Sequence, residues 1–385
     1  MFIPLFRPSL GEEELEALRP VFASGWIGLG PRTQQFEEEI ARYLGVKYAV
    51  GLNSATAALH LALATLGIGE GDEVLLPSLT FVSTAHAVRY TDATPVFVDV
   101  EEGTLNLDPK DLERKITPRS RAVIAVHYGG DPCDMMAILE VARGRGLAVV
   151  EDAAHAMGTE YDRQGAKAGS LGDIGCFSFH AVKNLATGDG GMLTTNREDV
   201  FRHARRLRWM GIDKDTWDRT EDAEKCARTG IRRYAGYHWY YEVAELGFKC
   251  HMNDITAAIG LVQLGKLEAA NERRRTIRAR YDRELAGVPG LQTPLPARGR
   301  SASHNYVVRL DRRDELNVHL RDRHIASGVH YLPVHLQPYY RNRYPAHVPV
   351  TERVWKRLLT LPMYADLAED DLLRVIGAVR EFFAA

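Results

Sequence analysis

The chain has 385 residues, 45% of them apolar and 26% charged, with a formal net charge of −2. That balance belongs to an ordinary folded protein and carries no excess charge to draw it to nucleic acid or an anionic membrane. The length exceeds what one hydrophobic core fills, so two unequal lobes are expected. The amino terminus, MFIPLFRPSLGEEELEAL, lacks a basic start followed by a long apolar run, and no segment approaches 18 uninterrupted apolar residues. An unexported cytoplasmic protein without membrane partners is expected.

From Val46 onward, short β-branched runs alternate with helix-like segments. The runs are Lys47 to Gly51, Glu73 to Pro77, Pro95 to Asp99, Arg121 to His127, Leu147 to Asp152 and Gly175 to Phe179. This alternation predicts βαβ units and an α/β fold with a mainly parallel sheet. Gly67-Ile-Gly-Glu-Gly71 imitates a dinucleotide loop, but it precedes a strand where that loop must follow one, so it reads as a helix-ending turn. The larger lobe is assigned to residues 1–246. Within it, residues 210–241 break the alternation with a polar stretch bearing Trp217, Tyr234, Tyr237, Trp239, Tyr240 and Tyr241, whose aromatics suit a subunit contact or a cover over substrate.

Residues 247–385 are read as a linking helix and a smaller carboxy-terminal α/β lobe. A long helix is predicted from Asn253 to Leu285, then a strand over Ser303 to Leu310, a helix over Glu315 to His324, a strand over Val329 to Val334 and a final helix from Glu369 to Phe383. Cys133, Cys176, Cys226 and Cys250 lie far apart without metal-ligand spacing, and no HExxH or close histidine cluster occurs, so reduced thiols and no metal are expected.

The chemistry concentrates in Gly172 to Met192, GDIGCFSFHAVKNLATGDGGM, where Lys183 lies in an apolar, glycine-bracketed segment. An amine that attacks a carbonyl must be partly neutral, and burial depresses its pKa enough for that. Asp152 ends a strand and would project from the carboxyl edge of the sheet, where α/β proteins keep their ligands. A carboxylate there can hold a pyridine nitrogen protonated, so the pair points to pyridoxal 5'-phosphate (PLP).

The motifs SATAALHLAL, EDAAHA, SFHAVKN, GDGG and HMNDI, in this order, resemble the DegT/DnrJ/EryC1/StrS family of PLP-dependent sugar aminotransferases. The likeness extends from GWIGLGP at Gly25 through LPVHLQPYY at Leu332 to LPMY at Leu361. It implies PLP-dependent transferase fold type I and a homodimer with active sites at the interface. It also implies transfer of an amino group from L-glutamate to a nucleotide-linked keto sugar, of the 4-keto-6-deoxy type, in two alternating half-reactions. Lys183 would condense with the cofactor aldehyde and then move the substrate proton, and Asp152 would pair with the ring nitrogen. His155 would approach the phenolic oxygen, Phe81 would lie against the ring, and Ser178 would bond the phosphate. Ser54, Ala55 and Thr56, where a strand turns into a helix, offer N–H groups and hydroxyls to the same anion.

Asn253 falls in the stretch that in relatives crosses toward the other subunit's site. Lys249 and His251 compete there for the phosphate, since many relatives carry arginine or asparagine where this chain has His251. His180 and His335 are candidate substrate contacts, His335 near the mouth of the site. The arginines at 273, 274, 275, 278 and 280 could meet a diphosphate, although five on one helix cannot face one ligand. Each residue also has an ordinary reading: a surface lysine, a strand-closing acid, a structural histidine, a core phenylalanine, a helix cap. Two other functions compete with the main one, amination of a keto-cyclitol or other antibiotic precursor, and a PLP-binding sensor without catalysis.

Overall fold

A computed structural model describes residues 2–161, 165–212 and 241–384. Trp217, Tyr234, Tyr237, Trp239 and Tyr240, on which the reading of the 210–241 excursion rests, lie outside the described residues, as does Cys226.

The strands follow the β-branched runs. They are β1 (Tyr48–Leu52), β2 (Glu73–Pro77), β3 (Thr94–Val98), β4 (Ser120–Val126), β5 (Ala148–Asp152), the short β6 (Glu160–Tyr161), β7 (Ile174–Ser178) and β8 (Gly191–Thr195). Seven of them form one sheet in the order β1-β8-β7-β5-β4-β2-β3. The pairings among β3, β2, β4, β5 and β7 are parallel, while β8 runs antiparallel to both β7 and β1. Such a mostly parallel sheet, covered by helices, is the α/β fold expected from the alternation, and it agrees with the fold type I that the family resemblance implied. β8 was not anticipated: its sequence, GMLTT, follows glycines and has little β-branched character before its last two residues. Gly191 is required there because a Cβ would fall 2.3 Å from the carbonyl carbon of Ser54.

The helix Asp254–Leu285 starts at Asn253, whose side chain accepts from Thr256 N–H at 2.9 Å. It joins two cores. Ala257 and Leu267 pack with Phe36, Phe177 and Phe179 beside the sheet, whereas Ile277, Tyr281 and Leu285 pack in a second cluster with Tyr306, Leu359 and Val375. Ile3 joins that second cluster, so the amino-terminal residues lie against the carboxy-terminal lobe and not against the sheet. Asp254 accepts from the N–H groups of Gly30 and Thr33 at 3.0 and 2.9 Å, which caps the helix Pro31–Leu44 and ties the GWIGLGP segment to HMNDI.

In the smaller lobe, β9 (Gly299–Arg300) pairs with β6, and β10 (Tyr306–Arg309) pairs antiparallel with β11 (Leu358–Leu361). The strand predicted over Val329 to Val334 is corrected by this pairing. β11 takes the place beside β10, and the 329–334 segment instead passes by the sheet's carboxyl edge, with Val334 N–H donating to Ser78 O at 2.9 Å. The helices Arg313–Asp322 and Glu369–Ala384 complete the lobe.

Candidate active site

The carboxyl ends of β1, β5 and β7 open on one edge of the sheet, and antiparallel β8 brings its first residue there because Gly191 pairs with Ser178 and with Leu52. A cavity of about 370 Å³ lies at this edge. Asp152 and Ser178 reach it from the last residues of their strands, and Lys183 from the turn that follows β7. That turn is held by Lys183 N–H donating to His180 O and Thr187 N–H donating to Phe179 O, each at 2.8 Å.

Period-two alternation on β5 sends Glu151 and Asp152 to opposite faces. Glu151 is wholly buried and accepts from the N–H groups of Gly169, Leu171 and Gly172 at 2.8, 2.8 and 2.6 Å and from the Tyr161 hydroxyl at 2.5 Å. It is a structural anchor beneath the site. Asp152 faces the cavity, where Thr84 Oγ1 donates to Oδ2 at 2.9 Å and Ala154 N–H to Oδ1 at 3.2 Å. Burial raises its pKa, an effect opposed by these two donors and by the charge of Lys183. Lys183 is half-buried because it lines an open cavity, yet removal of its amine from water lowers its pKa to about 8 against the opposing pull of Asp152.

Ser54 caps the helix Ala55–Thr65, its Oγ accepting from Ala57 N–H at 3.1 Å. Ser54, Ala55 and Thr56 all line the cavity, so the unpaired N–H groups of that helix start face it together with Ser178. Phe81 precedes the helix Val82–Tyr90 and is 55% exposed, which removes the core reading of this residue. Its ring lies over the cavity, 5.8 Å from that of Tyr331. His155 is buried, with Nε2 3.1 Å from the Tyr331 hydroxyl and Nδ1 without a hydrogen-bond partner among the described residues. Burial, reinforced by the charges of Lys183 and His330, holds it neutral. His180 lines the rim and is exposed.

Other sequence candidates fall elsewhere. His335 is not at the mouth: it is buried, with Nδ1 2.6 Å from Ser78 Oγ and its N–H donating to the same oxygen at 3.2 Å. The apolar neighbours of its HLQPYY motif turn it inward, and His330 and Tyr331, just before the motif, line the cavity in its place. Asn253, Lys249 and His251 do not line this chain's cavity. Lys249 Nζ lies 3.7 Å from the centre of the Trp209 ring, and His251 meets the same ring edge-on. The basic helix face is engaged within the chain and does not line this cavity. Arg273 donates to Leu367 O, Arg274 to Met363 O, and Arg275 to Ser301 O, while Arg278 makes a two-pronged pair with Asp131 and Arg280 pairs with Glu284. Thr84, His330 and Tyr331 were missed. Thr84 was within reach of a sequence argument, since it stands three residues after Phe81 on the helix that Phe81 opens.

The donor set fits PLP: a buried-edge amine of lowered pKa, a carboxylate facing the same space, a helix start for a phosphate and a buried imidazole nitrogen awaiting a partner. The sequence profile of the DegT/DnrJ/EryC1/StrS aminotransferase family matches residues 8–380. The spore coat polysaccharide biosynthesis protein SpsC of Bacillus subtilis is 44% identical over 391 residues, 99% of this chain and 97% of that protein. The aminotransferase TlmJ from Streptoalloteichus hindustanus shares 40% identity over 100% of this chain and 99% of its own, with a TM-score of 0.90. The putative sugar aminotransferase Spr1654 from Streptococcus pneumoniae, solved in a PMP form, shares 30% identity over 99% of each chain with a TM-score of 0.89, and its PLP form superposes at 0.88. With the profile match and these identities over nearly the whole chain, this protein belongs to the DegT/DnrJ/EryC1/StrS aminotransferase family.

Proposed function

We propose that this aminotransferase, whose cofactor is PLP, moves an amino group from L-glutamate to a nucleotide-linked keto sugar, with a 4-keto-6-deoxy sugar as the acceptor class. The observation that carries the reading is the placement of Lys183 and Asp152 in one cavity at the sheet's carboxyl edge. The likeness to a putative sugar aminotransferase and to a polysaccharide-biosynthesis protein supports the sugar acceptor. Bound PLP supplies an aldehyde to carry the amino group and a ring that accepts the electrons left when a proton departs.

The residues divide the remaining work. With its pKa lowered to about 8, the Lys183 amine is part neutral near that pH, so it could attack a carbonyl and could take and return a proton within the cavity. Asp152, steadied as a carboxylate by Thr84 and Ala154, would keep a positive charge on the ring nitrogen. Ser54, Ala55, Thr56 and Ser178 would hold the phosphate, Phe81 would lie against the ring, and neutral His155 would meet the phenolic oxygen. His180, exposed at the rim, contacts substrate. A homodimer, in which the segment bearing Lys249, His251 and Asn253 completes the partner's site, is part of the proposal; within their own chain these residues lie outside the cavity. Residues 1–246 and 247–385 are proposed as the two lobes, except that the amino-terminal residues around Ile3 pack with the second.

The reading is tested by recording the absorbance of PLP-loaded protein before and after L-glutamate, with 2-oxoglutarate assayed, for wild type and Lys183→Ala. A nucleotide-linked 4-keto-6-deoxy sugar and a keto-cyclitol are then offered as acceptors. Glutamate-driven conversion in wild type alone, reversed by the keto sugar, is expected. Conversion reversed only by the cyclitol, or none at all, overturns the reading.

A further inference from the structure

Behind His155 the rings continue. His304, from the segment leading into β10, lies with its ring centre 4.5 Å from that of His155 at 34°. On its other side Phe6, from the amino-terminal segment, stacks parallel at 5.3 Å. His304 is therefore held between a half-buried phenylalanine and the histidine of the site, and it is 2% exposed.

Its proton is assigned by a chain of amides. Asn271 Nδ2 donates to Met157 O at 3.0 Å, so its oxygen is turned to accept from Asn184 Nδ2 at 2.8 Å. Asn184 Nδ2 also donates to Ala302 O at 2.8 Å, which leaves Asn184 Oδ1 facing His304 Nδ1 at 2.9 Å. That oxygen can only accept, so His304 carries its proton on Nδ1. The chain starts at Met157, two residues past His155, and returns to His155 through the His304 ring. Asn184 directly follows Lys183.

From this geometry we infer that His304 is a positioning residue for the transamination site: with its proton fixed by Asn184, it holds the His155 ring at the cavity wall, where Nε2 meets Tyr331. The inference rests on the proposed place of His155 beside the phenolic oxygen. The groups facing the two histidines are Lys183, His330 and Tyr331 around His155, with Arg274 near His304. Burial, then the neighbouring His155, Lys183, Arg274 and His330, keeps His304 neutral, so it adds no charge against the Lys183 amine. A ring free to tilt would loosen the contact of Nε2 with Tyr331 and would change the proton equilibrium of the loaded site.

The test uses full-length, PLP-loaded protein and the pH midpoint of its visible absorbance change, with PLP affinity measured alongside. His304→Asn keeps a donor for Asn184 and loses the ring, His304→Phe keeps a ring and loses the donor, and His155→Phe reports on the underlying assignment. Circular dichroism checks the fold of each variant. Loss of either ring or donor is expected to move the midpoint by about half a pH unit or more and to weaken PLP binding several-fold, with His155→Phe moving it further. If His155→Phe shifts the midpoint and both His304 variants leave it at the wild-type value, the inference on His304 is overturned. If His155→Phe leaves it in place too, the assignment of His155 falls and the inference with it. Should both His304 variants fail to fold, Phe6→Leu, which removes the ring stacked on His304 and edge-on to His330, supplies the comparison.

Discussion

Thr84 Oγ1 donates to Asp152 Oδ2 at 2.9 Å and itself lies 2.9 Å from Thr80 Oγ1, so the carboxylate at the sheet edge is steadied by the first turn of the neighbouring helix. Burial pushes the Asp152 pKa up, and this hydroxyl opposes it. Replacing Thr84 by Val keeps the shape and removes the donor, which leaves the carboxyl readier to protonate. A hydrogen bond to a charged group contributes about 1.5 to 3 kcal/mol, so Thr84→Val should lower kcat roughly 10-fold or more, with Thr84→Ser near wild type. Steady-state kinetics with glutamate, and a PLP titration of both variants, check this.

Lys183 makes a stability prediction for the cofactor-free protein. Its folded pKa of about 8 lies below the ordinary 10.5, so the unfolded chain binds more protons between these values and stability rises with pH across that window. Below pH 8 the full penalty of a charged amine in the cavity is present. Lys183→Met should therefore stabilise the apo protein at pH 7 by about 2 kcal/mol, allowing for solvent in the open cavity, and should flatten the rise from pH 8 to 10.5. Urea unfolding at pH 7 and 10 gives the comparison; a variant less stable than wild type at pH 7 would sink the idea.

Glu151 behaves in the opposite sense. Its carboxyl is held below its ordinary pKa by His127, Tyr161 and backbone N–H groups acting against burial, so its contribution is present above the unfolded pKa near 4.5 and is lost as pH falls through the lower folded value. Glu151→Gln turns an amide toward N–H donors and should cost about 3 kcal/mol at pH 7. The gap to wild type should narrow in denaturation at acid pH.

His335, placed by motif at the mouth of the site, is a core residue bonded to Ser78. His335→Ala should lower stability by about 2 kcal/mol, since it leaves a buried hydroxyl without its partner. Turnover per folded molecule should stay within about twofold of wild type, because no reacting group is lost. Thermal melts paired with active-site titration separate the two effects. A large loss of kcat in a fully folded variant would return His335 to the site.

Much of the fold was legible before the structure. The strands β1 to β5 and β7 lie within a residue or so of the β-branched runs, and the long helix begins at the Asn253 cap, because these signals are local: side-chain alternation, and a capping oxygen beside a run of helix formers. β8 and β11 escaped because their partners decide them. GMLTT becomes a strand through its pairing on both sides, and the Val329 to Val334 segment carries strand-like residues but meets the sheet edge where Leu358–Leu361 has already taken the ladder.

The same division runs through the site. By itself the sequence determined the residue types and their order: one lysine in a glycine-bracketed turn, a carboxylate closing a strand, a serine opening a helix. Those follow from chain chemistry that acts within a few residues. Only the tertiary structure decided which of them share a cavity, because that depends on how β8 folds back beside β7 and on which face each side chain leaves its element. It brought Thr84, His330 and Tyr331 in, sent Glu151 and His335 into the interior, and engaged Arg278 with Asp131. Side-chain direction and long-range contact are properties of packing, and no local spacing encodes them.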